Sequence, residues 1–292
     1  MVVLTGSLFI LSIVFGIISM IGYGLTDFLS STVTKKDNPI KLGFWYFLLS
    51  SILLAIIGLL LFKIPKISDV EAIILVVTSF LSVFGLLSFL KALKVGKLSI
   101  IAPISGSWSI ITVLIGVIFL NETLSILQIV GVILTILGTI LTSFKLRDIL
   151  NLKLNNLVPG SGYAVITMLI WGVFYAAIGV LSKQFGWLYP VFIVTLGSAI
   201  LLLIYSLIKR IKLSFPTKLS GLLVLWAILG TIAFVFYSLG ANYGYISLVS
   251  PITAAAPFIA VILGLLLLKE RVEINQIIGI SLIIIGLIVI TL

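Results

Sequence analysis

The sequence predicts an all-α integral membrane protein: ten transmembrane helices arranged as two inverted-topology repeats of five around a central cavity. Three observations predict it. The composition leaves no room for a water-facing surface. Ten apolar stretches have membrane-spanning length. One 33-residue segment occurs twice, with its basic flanks exchanged.

The chain has 292 residues, of which 62% are hydrophobic and 9% charged, with a mean hydropathy of +1.42. Soluble domains carry roughly 25% charged residues. A helix crossing a ~30 Å hydrocarbon core at ~1.5 Å per residue needs about 20 apolar residues. Stretches of that kind fall at 8–30, 42–62, 72–90, 98–120, 124–144, 160–182, 187–208, 219–241, 246–268 and 274–292. They are continuous, whereas transmembrane strands are ~10-residue alternating segments. The first stretch lacks a basic leader and a small-x-small cleavage site, so it reads as a span rather than a cleaved signal.

The loops are short, and the longest, 145–159, lies at the midpoint. It divides the chain into a first repeat at 1–144 and a second at 160–292. With the N-terminus on one side, that side receives Lys63, Lys66 and Lys183. The other fifteen Lys and Arg fall opposite. Basic loops mark the cytoplasmic face, so both termini are expected outside. A net charge of +10 is thereby explained by orientation, without nucleic acid.

Five is odd, so the second repeat enters the membrane inverted. Residues 99–131 and 247–279 align at a constant offset of 148 with twelve identities, including Pro103/Pro251, Glu122/Glu270 and Gln128/Gln276. Before the first copy stand Lys91, Lys94 and Lys97; the second has Leu239, Asn242 and Tyr245 there. In the loop within the first copy stands Asn121-Glu122-Thr123, and in that of the second Lys269-Glu270-Arg271. One pattern is kept while its positive charges change sides, as in transporters built from inverted repeats. In the first three spans the repeat is faint, with Gly22 against Gly172 and Ser51 against Ser198 as the candidate matches.

Each half ends in Glu-x5-Gln-x2-Gly-x6-Gly: Glu122, Gln128, Gly131 and Gly138, then Glu270, Gln276, Gly279 and Gly286. Trp171-Gly172 opens the second half, and Tyr23 stands in place of the corresponding Trp-Gly start of the first. These features resemble the EamA family of the drug/metabolite transporter superfamily. The resemblance implies ten helices, the first four of each half around a central cavity and the fifth as a buttress. It also implies transport of a small organic solute such as an amino acid, sugar or metabolite. Many members of the superfamily keep both termini in the cytoplasm; the fifteen-to-three charge count implies the reverse here.

The expected function is alternating-access secondary transport of a small solute, with protons or another gradient as the driving force. A flippase for a lipid-linked carrier is the alternative, and an integral membrane enzyme ranks lower. The chain has no Cys and no His, so disulfide, thiol and His-metal chemistry are excluded and the commonest general base is missing. A Gly-x4-Gly-Lys-Ser/Thr motif for ATP is absent as well. No cofactor, metal or nucleic acid is expected. The partners are the bilayer, the solute and candidate protons, and a monomer suffices because both repeats lie in one chain.

The candidate site residues follow from polar groups in apolar spans. Asp27 is the one Asp, Glu, Lys or Arg inside any span, which marks it as functional unless it reaches the headgroups. Tyr23, Asp27 and Ser30 share a helix face. Ser105, Trp108, Ser109 and Thr112 are spaced i, i+3, i+4, i+7 and are expected to form one polar wall. Thr253 lies on the corresponding second-repeat face. Trp171 and Tyr175 share a face in the sixth span, and Tyr237 and Ser238 lie together in the eighth. Pro257, deep in the ninth span, is expected to kink it. Glu122 and Glu270 are expected at the starts of the fifth and tenth helices, where the helix dipole favours an acid, with a gate or coupling carboxylate as the alternative role. Gly131/Gly138 and Gly279/Gly286 offer surfaces for close helix approach.

Overall fold

The computed structural model describes residues 6–61, 65–96, 98–142, 159–259 and 274–291. Most of the predicted linker, and Glu270, lie outside these residues. All regular structure among the described residues is helical. The elements are α1 (Gly6–Thr34), α2 (Pro39–Leu61), α3 (Asp69–Val95), α4 (Leu98–Gly106), α5 (Trp108–Phe119) and α6 (Ile126–Thr142). They continue with α7 (Ser161–Phe185), α8 (Leu188–Ile208), a 3₁₀ turn at Thr217–Leu219, α9 (Ser220–Tyr243), α10 (Ile246–Ala254) and α11 (Ile274–Ile290). Six of these, α1, α2, α3, α7, α8 and α9 with its 3₁₀ turn, are long and apolar enough to cross a membrane. The remaining helices are apolar and shorter.

Local chemistry sets several boundaries. Ser68 and Glu71 form a reciprocal cap at the start of α3. At α6, the Ser125 amide donates to Gln128 Oε1 at 3.0 Å while the Gln128 amide donates to Ser125 Oγ at 3.1 Å. That is a capping box, and it gives Gln128 its role.

Two expected helices are broken. The stretch 98–120 divides into α4 and α5 at Ser107, and the Ile110 amide bonds back only three residues to Ser107 O. The stretch beginning at Ile246 stops at Ala254. Pro257 has no N–H to continue the ladder, and the Thr253 carbonyl is taken by Ala256 instead. Pro257 therefore opens a new helical turn rather than kinking a continuous helix. The two breaks, at Ser107 and Ala255, are 148 residues apart.

The same offset governs the packing. A two-fold relation between two copies turns every contact i–j into a second contact between the equivalents of i and j. A Cβ built on Gly131 would lie 2.8 Å from Gly286 O. Its exchanged pair is Gly138 against Gly279 O, at 2.7 Å. On Gly172 a Cβ would lie 2.5 Å from Ile111 Cβ and 3.0 Å from Trp108 O. On Gly24 it would lie 2.5 Å from Ile259 Cβ and 2.7 Å from Ala256 O. Ser198 Oγ donates to Ser79 O at 3.3 Å, and Ser50 Oγ donates to Ala227 O at 3.5 Å. Each pair converts into the other by adding 148 to one member and subtracting it from the other. The register of the early helices is thus Gly24 with Gly172 and Ser50 with Ser198, which corrects the Gly22/Gly172 and Ser51/Ser198 matches. Contacts find this register because the offset stays constant, while apolar identities are too cheap to reveal it.

Lipid supplies no hydrophobic drive between helices, so close backbone approach at small residues has to hold the bundle. The α6–α11 pair is the plainest case, with Gly131 facing Gly286 and Gly138 facing Gly279, so the two helices run antiparallel. Gly131→Ala is expected to cost about 1–3 kcal/mol by overpacking, read as a lowered thermal midpoint of the detergent-solubilised protein. Gly221→Ala, where an added Cβ meets nothing within 4 Å, is expected to leave the midpoint unchanged or slightly raised.

Candidate functional site

Helices α1, α2, α3, α4, α5, α7, α8, α9 and α10 enclose a cavity with about 970 Å³ of empty space, its open side included. Its lining comes from the second half of α1 (Tyr23, Thr26, Asp27, Ser30), the middle of α2 (Tyr46, Ser50, Leu54) and the second half of α3 (Ser82, Leu86, Phe89). The α1 and α3 segments lie toward the helix ends that carry Lys35, Lys36, Lys91 and Lys94. The break between α4 and α5 contributes Ser105, Gly106 and Trp108. The break after α10 contributes Thr253, Ala256 and Pro257. Trp171, Phe174 and Tyr175 of α7, Thr195 of α8, and Trp226 and Thr231 of α9 complete the wall.

Asp27 is half-buried and brings the one carboxylate in this lining, which holds no Lys or Arg. Among the described residues its carboxylate has no ion pair and no hydrogen bond from the protein. Tyr46 and Tyr175 lie within electrostatic range of it. The Tyr46 ring packs on Trp226, centroids 4.4 Å apart, and rests where a Cβ on Gly230 would stand. Tyr23 meets Tyr175 edge-on at 6.0 Å. Ser105 and Thr253 are both 1% exposed, and neither hydroxyl has a hydrogen-bond partner among the described residues. They are 148 residues apart, one beside each helix break.

The opposite end is sealed in layers. Trp108 stacks on Tyr175 with centroids 4.1 Å apart, and Tyr237 lies edge-on to Tyr175 at 4.7 Å. The Tyr237 hydroxyl donates to Tyr175 O at 2.9 Å and shares a hydrogen bond with Ser250 Oγ at 3.2 Å. Beyond this plug, Ser238 Oγ shares a 2.6 Å bond with Ser182 Oγ and donates to Trp187 O at 2.7 Å. Outermost is Glu122. Its Oε1 accepts from the Ile246 amide at 2.9 Å and its Oε2 from the Ser247 amide at 2.9 Å and hydroxyl at 2.7 Å. Lys183 Nζ lies 2.8 Å from Oε1. Glu122 therefore does not start its own helix, which Ser125 and Gln128 cap. It closes the positive N-terminus of α10, a distant helix, where orphan amides favour a carboxylate. Glu270 lies outside the described residues.

Of the residues singled out by sequence, Tyr23, Asp27, Ser105, Trp108, Trp171, Tyr175, Thr253 and Pro257 border the cavity. Ser109, Thr112, Tyr237 and Ser238 do not. The expected polar wall is interrupted because Ser105 belongs to α4, whereas Trp108, Ser109 and Thr112 belong to α5. Thr112 Oγ1 donates to Gly172 O at 2.8 Å, tying α5 to α7. Sequence reading missed Tyr46, Ser50, Ser82, Thr195 and Trp226. Hydroxyls recurring within the second, third and seventh spans were the available signal for Ser50, Ser82 and Thr195.

The EamA-like transporter family model matches residues 10–144 and again 158–292. The chain belongs to this family. An uncharacterized protein of Methanocaldococcus jannaschii is 34% identical over 137 residues, spanning 46% of this chain and 97% of its own length. A crystal structure of a protein with 18% sequence identity superimposes with a TM-score of 0.72, covering 95% of this chain and 96% of that one. This likeness concerns the fold alone. With the family, the chain is an integral membrane transporter in general terms.

The lining makes a prediction on a protein that has no native cysteine. Single cysteines at Ser105 and Thr253 are expected to react with a water-soluble thiosulfonate. Cysteines at Ser109 and Thr112 are expected to remain unmodified. Mass spectrometry of the intact protein reads the difference directly.

Proposed function

We propose that this protein is a secondary active transporter of a small organic solute, working by alternating access, with ten spans in two inverted five-helix repeats joined by residues 145–159. The observation that carries the reading is a cavity walled by both halves, flanked by two helix breaks 148 residues apart and sealed at one end. Broken helices at the interface of inverted repeats are the usual setting of a transporter's binding site. Exchange of the open and sealed ends would carry a solute across without a continuous channel.

The asymmetry of the seal follows from the repeat. At an offset of 148, Trp108, Tyr175 and Tyr237 of the plug correspond to Ala256, Asp27 and Phe89, all three of which border the cavity. Where one end of the bundle carries a stack of aromatic rings drawn from both halves, the equivalent positions toward the other end carry a methyl group, a carboxylate and one ring. The cavity is the space left by that difference. On the Lys/Arg count the cavity end is cytoplasmic and the sealed end, with both termini, is external. A reporter fused after Leu292 is expected to be external; a cytoplasmic reporter would reverse the direction assigned to the cavity.

Uptake into proteoliposomes against a panel of solutes, with and without a pH gradient, tests the transport reading. Saturable accumulation driven by a gradient is expected. Its absence for every solute class would refute the reading. The Glu122 network is expected to hold the sealed state. In Glu122→Gln the amide cannot accept on both sides, and a side-chain N–H faces backbone N–H groups. A loss of about 1.4 kcal/mol would raise the open population about tenfold. Ser250→Cys, behind the plug, is expected to be inert alone and to label at least several-fold faster when combined with Glu122→Gln.

A further inference from the structure

We infer that the cavity recognises a protonated organic amine: an ammonium head carrying an apolar, preferably aromatic, group. This rests on the reading of the cavity as a transporter's substrate site and names the chemical class that the site takes.

Four observations converge. The Asp27 carboxylate faces the cavity and has no protein partner among the described residues. A carboxylate in a low-dielectric site calls for a counter-charge, and the lining supplies none, since it contains no Lys or Arg. An anionic solute would therefore meet only repulsion from Asp27, and a neutral one would leave it unpaired. Tyr23, Tyr46, Tyr175 and Trp226 line the same cavity as Asp27, and aromatic faces attract cations. Finally, Ser105 Oγ and Thr253 Oγ1 are almost wholly buried, border the cavity and lack partners. Buried polar atoms are ordinarily hydrogen-bonded. Two idle hydroxyls suit a head group with several N–H donors, because each hydroxyl has lone pairs to offer. A quaternary ammonium would satisfy the carboxylate and the rings but leave both hydroxyls idle.

The apolar remainder of the ligand has its own wall. Phe174, Leu86, Phe89 and Leu54 border the same space, giving an apolar region beside a cation-seeking one. Hydrophobic and aromatic lining with a few convergent polar groups is the general form of a small-molecule site.

The test uses the purified full chain in detergent and radiolabelled 2-phenylethylamine, which is protonated at neutral pH. Competition is measured with 2-phenylethanol, its uncharged counterpart, with 3-phenylpropionate, an anion, and with benzyltrimethylammonium, which has no N–H. Saturable amine binding is expected, with the alcohol at least about tenfold weaker and the anion not competing. Asp27→Asn is expected to weaken amine binding at least about tenfold, and Asp27→Glu to restore saturable binding. The Ser105→Ala/Thr253→Ala pair is expected to weaken 2-phenylethylamine several-fold while leaving benzyltrimethylammonium unchanged. Equal affinity for amine and alcohol, preference for the anion, or no saturable amine binding by the native chain would overturn the proposal. So would undiminished amine binding in a folded Asp27→Asn. If Asp27→Asn does not fold, the competition series on the native chain decides alone. Amine binding without flux in proteoliposomes would remove the transport reading and leave the ligand class. Flux of a neutral or anionic solute without amine binding would do the opposite.

Discussion

Close backbone approach at small residues is the constraint on which the rest of this structure depends. In lipid, apolar side chains gain little by leaving one greasy neighbour for another, so helix pairs are fixed by how closely their backbones fit. Gly24 and Gly172 let α1 and α7 press against the broken spans, and Gly131, Gly138 and Gly286 let α6 and α11 cross. These contacts set the register by which each element meets its counterpart. The register places both helix breaks at one cavity. A larger residue at Gly24 or Gly172 would push the broken spans away from the wall they complete.

Polar groups are handled by a complementary rule. Most hydroxyls in the spans turn back on their own helix, as Thr195 does to Val191 O at 2.6 Å and Thr231 to Ala227 O at 2.7 Å. Others stitch helices together, as Thr112 does to Gly172 O and Ser238 to Trp187 O. Four buried hydroxyls do neither among the described residues: Thr34 and Ser206 near the ends of α1 and α8, and Ser105 and Thr253, which border the cavity with the Asp27 carboxylate. Glu122, the other buried carboxylate, is the opposite case, with each oxygen occupied at an end of the bundle. Two acids of similar chemistry thus have different duties, decided by how many donors reach them.

Much of this was legible in the sequence, and the reasons for the rest are physical. The all-helical membrane class, the repeat in the last two helices of each half, and the presence of a lone carboxylate, Asp27, in an apolar span come from composition, spacing and the cost of charge in hydrocarbon. The break at Ser107 was not legible, because Gly-Ser in an apolar run is compatible with a continuous membrane helix; only tertiary contact decides. That break divided the Ser105–Thr112 face and turned half of it toward neighbouring helices. Glu122 was placed at the wrong helix because an N-terminal carboxylate can serve any helix whose amides it reaches, and α10 lies more than a hundred residues away in sequence. Tyr46 and Trp226 carried no signal, since a ring in a span reads equally as packing. The early-helix register needed contacts, because Gly22, Gly24, Ser50 and Ser51 offer competing alignments that composition cannot rank.

The correspondence of Tyr175 with Asp27 and of Trp108 with Ala256 has a thermodynamic consequence. Two identical halves would give two mirror conformations of equal free energy, and the resting protein would divide itself evenly between them. Each unlike pair lifts that degeneracy. Rings stacked at one end and missing at the other favour one conformation in the absence of any ligand, and every 1.4 kcal/mol of imbalance changes the ratio about tenfold. A ligand that paired with Asp27 in one conformation only, as proposed, would act on this same balance. In the proposed alternating-access cycle, divergence between the duplicated halves would thereby set an idling position, at which an empty molecule waits with one side shut.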